Sequence, residues 1–355
     1  MAATTAELAS GAGLGGAGAL ALLAAAASWL ATRWVLAWLH RRRVLDHPNE
    51  RSSHSVPTPR GGGIGVLAVA LPLAAAVFWL YRPGAAEPIV VIAITAALAL
   101  LSWLDDLRGL PVAMRLGAHI LAVAAALYLM PAELLVFQGL LPLAADRVGA
   151  AIAWVWFINL YNFMDGIDGL AGVETVSIGG GIFALLVLAS GDTGAAGASL
   201  AISALVVAAA AAGFLVLNWH PARVFMGDVG SIALGYLLGW MLLTLAAWGF
   251  WAAALILPAY YLADATITIA RRALAGEAVW QAHKKHFYQR AVQRGLGHAR
   301  VARFVAAGNL FLALLALLAT RTADRTGTIL CLAAAALIVA WMLVRLVRAP
   351  AQKGQ

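Results

Sequence analysis

The sequence predicts an all-α, polytopic integral membrane protein with about eleven transmembrane helices. Composition is the first observation behind that class. Of 355 residues, 63% are hydrophobic and only 11% are charged, whereas a soluble domain carries ~25% charged residues. The second is the spacing of the apolar runs, which recur at the ~20-residue length that crosses a bilayer as helix. The third is where the few charges fall, in the short polar stretches between those runs. No segment has the composition of a soluble domain. Residues 1–355 therefore read as one transmembrane domain with polar loops near 40–60, 105–111, 159–172, 218–231 and 271–302. The single cysteine, Cys331, excludes an intrachain disulfide and a cysteine metal site. The net charge of +8 fits positive loops on the cytoplasmic side better than nucleic-acid binding.

The first run, 14–39, is expected to stay in the protein, because no Lys or Arg precedes Arg33 and a signal peptide needs a positive start. Further spans are expected at 61–81, 88–104, 112–130, 149–164, 170–190, 197–217, 231–248, 252–270, 303–320 and 327–347. Between the fourth and fifth, Leu134–Leu141 has the look of a short hairpin with no evident chemistry. One set of alternate loops holds Arg41, Arg42, Arg43, Arg51, Arg60, Arg108, Arg115, Arg223, Arg271, Arg272, Lys284, Lys285, Arg290, Arg294, Arg300, Arg303, Arg345, Arg348 and Lys353. The other set holds only Arg82, Arg147, Arg321 and Arg325. That bias places the N-terminus outside and the C-terminus in the cytoplasm. Every motif with chemical character then falls on the cytoplasmic face.

The first such loop combines three prolines, which forbid regular helix, with Arg60 before Gly61-Gly62-Gly63. A guanidinium beside bare backbone amides suits a phosphate, although an ordinary positive loop has the same look. Next come Asp105 and Asp106 at a helix C-terminus, where two carboxylates repel each other and oppose the helix dipole. Such a pair suits a base or a metal site, or a solvated helix end partnered by Arg108. The stretch Asn159-Leu-Tyr-Asn162-Phe-Met-Asp165-Gly166-Ile-Asp168-Gly169 repeats an oxygen-bearing side chain every third residue. Gly166 and Gly169 end the helix and fold the last carboxylates back, giving oxygen ligands suited to a hard cation or, on the plainer reading, a polar turn.

Asn218-Trp-His-Pro-Ala-Arg-Val-Phe225-Met-Gly227-Asp228-Val-Gly-Ser231 opens another helix. Asp228 or Ser231 suits an N-cap, and Asp228 between glycines equally suits Mg²⁺ or phosphate. Phe225 offers a ring for a base to stack on. Asp264 lies deep in an apolar run, where an acid is either functional or paired with a neighbouring helix. His283 and His286 share a helix face, and with Lys284, Lys285 and Arg290 they suit an anion or a lipid surface better than a metal.

Taken together, Pro48-Asn-Glu-Arg51-Ser-Ser-His54, Pro57-Thr-Pro-Arg60-Gly-Gly-Gly63, Asp105-Asp106, Asn159–Ala171, Phe225–Ser231 and His283–Gln289 resemble the polyprenyl-phosphate N-acetylhexosamine-1-phosphate transferases. This glycosyltransferase family 4 includes phospho-MurNAc-pentapeptide translocase and the enzymes that start O-antigen and teichoic-acid chains. The form His283-x-x-His286-x-Tyr288-Gln289 is most similar to the O-antigen-initiating branch that uses UDP-N-acetyl-6-deoxyhexosamines. The translocase's triple histidine is absent, and Gly109 stands where some branches carry a third aspartate.

The resemblance implies a Mg²⁺-dependent transferase in the bacterial inner membrane, with Mn²⁺ as a possible substitute and its site facing the cytoplasm. An oxygen of undecaprenyl phosphate would attack the β-phosphorus of a UDP-N-acetylhexosamine. UMP would leave, and a lipid-linked diphosphate sugar would start O-antigen or another envelope polysaccharide. By the family pattern Asn162 and Asp228 hold the metal, and Asp105, Asp106, Asp165 and Asp168 form the catalytic set, with Asp105 as base or lipid-phosphate positioner. Arg60, Asn218, Phe225, His283 and His286 would contact substrate. Membrane lipid is the other expected partner, nucleic acid is not, and a homodimer is compatible with the pattern. The alternative from another class is a lipid or solute transporter, which would place ionisable groups at mid-membrane on broken helices.

Overall fold

The structure is a computed structural model, and it describes residues 4–8, 10–46, 48, 56–188, 193–281, 283–322 and 324–348. The expected first-loop motif from Asn49 to Ser55, with Arg51 and His54, lies outside the described residues. A short helix α1 (Thr5–Leu8) precedes the long α2 (Gly11–Arg42). A two-stranded ribbon, β1 (Leu45–Asp46) with β2 (Thr58–Pro59), leads into α3 (Gly63–Tyr81), α4 (Ala86–Arg108) and α5 (Val112–Leu129). There follow α6 (Leu143–Phe163), α7 (Leu170–Leu188), α8 (Gly194–Asn218) and α9 (Asp228–Leu245). A π-helical turn, Ala246–Phe250, joins α9 to α10 (Trp251–Ile256) and α11 (Ala259–Leu274). The chain ends with α12 (Phe287–Gln293), α13 (His298–Ala319) and α14 (Arg325–Val347).

Among the described residues, ten helices are long and apolar enough to cross a membrane, against the eleven expected. The difference lies in the expected span 252–270. Its first residues continue from α9 as α10, and Pro258 then separates α10 from α11. A proline cannot donate the helical hydrogen bond, so the helix restarts there. Gly249, at φ 94°, breaks the path between α9 and α10, in a region of φ that a glycine adopts without the strain of a Cβ. Helix α11 packs back against α6 and against α14. The expected hairpin at Leu134–Leu141 is instead a set of turns, because Asp146 accepts from Val136 N at 3.1 Å and Phe137 N at 2.8 Å. Helix α6 consequently begins at Leu143 rather than 149.

The core is a helix bundle centred on α9, which packs on α4 and α6, with α7, α8, α2 and α3 forming an adjoining layer. Small residues make the central contact close. A Cβ on Gly235 would sit 3.1 Å from Tyr161 Cβ, and one on Gly239 would sit 2.6 Å from Trp154 Cδ1. Trp154 Nε1 donates to Tyr236 O at 2.9 Å across the same contact. Close packing through glycine is a general way to join helices in lipid, where no hydrophobic drive pushes them together. Here it sets the register that carries the last turn of α6 to the first turn of α9.

Candidate active site

Three helix ends and one loop converge. The C-terminus of α4 supplies Asp105 and Asp106, the C-terminus of α6 supplies Asn162, and the N-terminus of α9 supplies Asp228. The loop before α3 supplies Arg60, because the backbone there pairs with the segment before α9. Phe225 N donates to Pro59 O at 2.8 Å, and Gly62 N donates to Phe225 O at 2.8 Å. Two motifs far apart in sequence are thereby zipped together.

Asn162 Nδ2 donates to Asp228 Oδ1 at 3.0 Å and to Ser231 Oγ at 2.9 Å. Arg60 Nη2 reaches Asp228 Oδ1 at 2.6 Å and Asp106 Oδ1 at 2.9 Å. Burial works against the charge of Arg60, but Asp228 and Asp106 outweigh it, so the guanidinium is held more firmly protonated than in water. Asp106 also accepts from Asp228 N at 3.3 Å and Val229 N at 3.2 Å. It is therefore the N-cap of α9 supplied from another helix, a role the sequence suggested for Asp228 or Ser231. Its side chain is only 1% exposed and holds the first turn of α9, which carries Asp228.

Asp105 accepts from Leu110 N at 2.5 Å and pairs with Arg115 Nη1 at 3.0 Å. Arg115 Nη1 lies 3.9 Å from Asp228 Oδ2. Arg115, in the first turn of α5, was counted in the sequence only as loop charge. The signal that marks it is a cation at a helix N-terminus, where the dipole favours an anion and a local partner must offset the penalty. Asp165 sits in the loop after α6. Burial and the nearby Asp228 carboxylate push its pKa well above the usual carboxylate range.

The four oxygen-bearing residues of 159–168 do not form one cluster. Asn159 Nδ2 donates to Val155 O at 2.7 Å and lies 3.5 Å from His119 Nδ1, on the wall of a groove. Asp168 belongs to a second centre, between His220 Nδ1 at 2.6 Å and His298 Nδ1 at 3.2 Å. One ligand atom from each of the three lies within 4.8 Å of the others, and Nδ1 of each imidazole is already paired with the carboxylate. Burial alone would raise the pKa of Asp168, but hydrogen bonds from His298 and His220 prevail and hold it below the usual range. A carboxylate with a depressed pKa stabilises the fold above the unfolded pKa and loses that contribution as pH falls through the folded one. Asp168→Asn is therefore expected to lower the melting temperature at pH 7, with the gap to wild type closing below about pH 4. A thermal-shift series across pH checks this.

Asn218 is buried, and both ends of its amide serve the backbone. It accepts from Gly169 N at 2.9 Å and donates to Val224 O at 2.9 Å, tying the loop after α6 to the segment before α9. Phe225 is half-buried beside Arg60.

Asp264, left open by the sequence, anchors the histidine segment. It accepts from Phe287 N at 3.0 Å and Tyr288 N at 3.2 Å, and pairs with His286 Nδ1 at 3.1 Å. Tyr260 Oη donates to it at 3.1 Å, and Tyr288 Oη donates to Phe163 O at 2.9 Å. His286 is thus enclosed, with its ring stacked on His283 at 4.8 Å. His283 stays partly accessible, and burial followed by the charges of His286, Arg272 and Lys285 lowers its pKa to about 4. That lowering leaves the ring neutral at pH 7. Asp264→Ala is expected to free α12 from α11 at a cost on the order of 3 kcal/mol. The observable is a lowered melting temperature in detergent, accompanied by proteolysis within 275–290.

A groove of about 660 Å³ begins at Asp105, Arg115, Asn162 and Asp228. It runs past His119 and Asn159 to Ile120, Ala124, Val148 and Ile152. Ile120, Val148 and Ile152 are exposed on the outer surface of the bundle, so the apolar end opens where lipid would lie. One wall is completed by Ile269 of α11 and by Val279 and Trp280 beyond it.

A family model described as glycosyl transferase family 4 matches residues 88–246. The chain is 31% identical over 319 residues to a decaprenyl-phosphate N-acetylglucosaminephosphotransferase of Mycolicibacterium smegmatis, covering 79% of this chain and 76% of the relative. It is 30% identical over 269 residues to a probable undecaprenyl-phosphate N-acetylglucosaminyl 1-phosphate transferase of Bacillus subtilis, covering 72% and 71%. A phospho-N-acetylmuramoyl-pentapeptide-transferase of Desulforamulus reducens is 34% identical over 207 residues, covering 51% of this chain and 58% of the relative. The matched family interval contains α4, α6 and the first turn of α9, whose side chains meet at Asp228. With that breadth of similarity and that convergence, the chain belongs to glycosyl transferase family 4, the polyprenyl-phosphate N-acetylhexosamine-1-phosphate transferases.

Proposed function

We propose that the protein transfers an N-acetylhexosamine 1-phosphate from a UDP-sugar to undecaprenyl phosphate, releasing UMP and leaving a lipid-linked diphosphate sugar. The observation that carries this reading is the groove, which joins a centre of carboxylates and guanidiniums to an apolar channel open at the outer surface. A polyprenyl phosphate has the same two-part character. Its phosphate meets Arg115 at the polar end, and its tail follows Ile120 and Ile152 outward.

The chemistry joins two anions, so alignment and charge neutralisation are the main requirements. An oxygen of the lipid phosphate attacks the β-phosphorus, and the bond to the α-phosphate oxygen breaks with its electron pair leaving on UMP. The attacking phosphate is already ionised at neutral pH, so no base is needed. Asp105 accordingly acts as the group that orients Arg115, consistent with the 3.0 Å pair between them. Arg60 neutralises charge from the other side. Arg60 and His283 are the groups assigned to the donor diphosphate, His286 braces His283, and Phe225 is the base-stacking ring.

The donor set around Asp228 suits a hard divalent cation: its own carboxylate and the amide of Asn162, whose Nδ2 faces Asp228 in this structure, with no sulfur or imidazole bonded to Asp228 among the described residues. Asp228 and Asn162 would hold Mg²⁺, or Mn²⁺ in its place, and the ion would neutralise the diphosphate and polarise its phosphorus. The excess of arginine in one set of loops favours a cytoplasmic site in a bacterial inner membrane. The histidine-segment pattern favours O-antigen initiation with a UDP-N-acetyl-6-deoxyhexosamine.

The test is incubation of the purified protein with undecaprenyl phosphate, Mg²⁺ and a panel of UDP-N-acetylhexosamines, followed by mass analysis of the lipid. The reading predicts a lipid heavier by one sugar phosphate, with UMP in equal amount. Substrate that crosses a vesicle unchanged, with no UMP, would instead make the protein a transporter.

A further inference from the structure

A second and larger groove lies on the other side of α11. It encloses about 1010 Å³ between α10–α11 and α14. Its walls are apolar along most of their length, with residues such as Leu262, Ile267, Ala336 and Ala340. Its site-facing end is different: Arg271 of α11, Arg290 of α12 and Arg348 after α14 all line it. Among the described residues, no carboxylate stands within ion-pair distance of any of the three, and each is at least partly exposed.

An apolar trough ending in three unneutralised guanidiniums is the complement of an anionic lipid. The pattern narrows the occupant further. None of Asp105, Asp106, Asn162 and Asp228 lines this groove, and α11 stands between the two. A lipid held here therefore lies apart from the reacting centre. A second copy of this chain is disfavoured, because a two-fold contact through this face would oppose the same arginine clusters. Three cations around one headgroup favour two phosphates over one, and basic pockets between membrane helices recognise such headgroups.

We propose that the groove between α11 and α14 binds a phospholipid whose headgroup carries two phosphates, of the cardiolipin type. Phe287 lines the groove, with Arg271 5.9 Å above its ring, and its neighbour His286 is tied to Asp264 of α11. Lipid in the groove thus buttresses the arm that presents His283 and His286. The site stands on its own geometry and does not depend on the transfer reaction.

The test is native mass spectrometry of the full chain released from detergent with equal amounts of cardiolipin and phosphatidylethanolamine. Wild type is expected to retain one cardiolipin in preference to the zwitterionic lipid. Each arginine removed should lower that preference roughly fivefold, so R271Q/R290Q/R348Q should lose nearly all of it. R271K/R290K/R348K should keep most of the preference, since charge matters more than shape at a lipid surface. Ala340→Trp fills the trough without touching the arginines and should also lose the lipid, which covers a glutamine variant that does not fold. Three outcomes would overturn the site: undiminished retention in the glutamine or tryptophan variant, one-for-one displacement by undecaprenyl phosphate, or a lipid-free dimer in place of the lipid-bound chain.

Discussion

Asp228→Asn is expected to lower UMP release by about a thousandfold while leaving the protein folded, since one well-placed electrostatic group is worth 10²–10³ in rate. Asparagine keeps the shape of aspartate, removes its charge and puts an N–H donor in place of one oxygen. In the wild type, Asp228 Oδ1 is shared by Arg60 at 2.6 Å and Asn162 at 3.0 Å. Among the described residues its second oxygen has only Arg115, at 3.9 Å, which is the oxygen that the proposed cation would use. An amide there brings an N–H group towards one guanidinium or the other, which turns an attraction into a repulsion. The loss should persist at saturating Mg²⁺ and saturating substrates, appearing in kcat. Turnover within a few-fold of wild type would remove Asp228 from the centre of the mechanism.

Arg115→Ala should lower kcat/KM for the lipid phosphate about a hundredfold, with a much smaller change in KM for the UDP-sugar. Arg115 stands at the junction of the polar and apolar parts of the groove, where the lipid phosphate is assigned. Its removal also strands Asp105, whose side chain is only 7% exposed, without its cation. Arg115→Lys should recover part of the loss, because lysine restores the charge without the fork geometry. The separation between the two substrates is the informative part. An equal effect on both would move Arg115 from lipid-phosphate binding to a general electrostatic or folding role.

Much of this architecture is legible in the chain. Helices such as α3, α8 and α14 follow apolar runs of the length that a bilayer dictates, so their positions emerge from hydropathy alone. The ninth expected span misleads because Pro258 divides it, and because α11 carries Asp264, Arg271 and Arg272 on its polar side. Periodicity shows where helices are and not how they pack. The pairing of Asn162 with Asp228 was suggested by the family pattern, whereas its physical cause, the small-residue contact of α6 on α9, appears only in three dimensions. Asp168 shows the limit most clearly. Its spacing from Asn162 and Asp165 suggested one ligand cluster, but the loop after α6 turns it towards His220 and His298. Those histidines come from two other segments, and no local pattern links them. Arg115 was hidden among loop charges for the same reason, since its partners are a helix away in one case and four helices away in the other.

In the proposed reaction the bond broken lies between the two phosphorus atoms of the donor, at a centre built around Asp228. A UDP-N-acetylhexosamine labelled with ³²P at the β-position tests it most directly, with undecaprenyl phosphate as acceptor and Asp228→Asn as control. The label should pass to the lipid in step with UMP release, and neither should occur in the variant. Label left in soluble UDP would mean that the sugar alone had moved, and the account would be wrong.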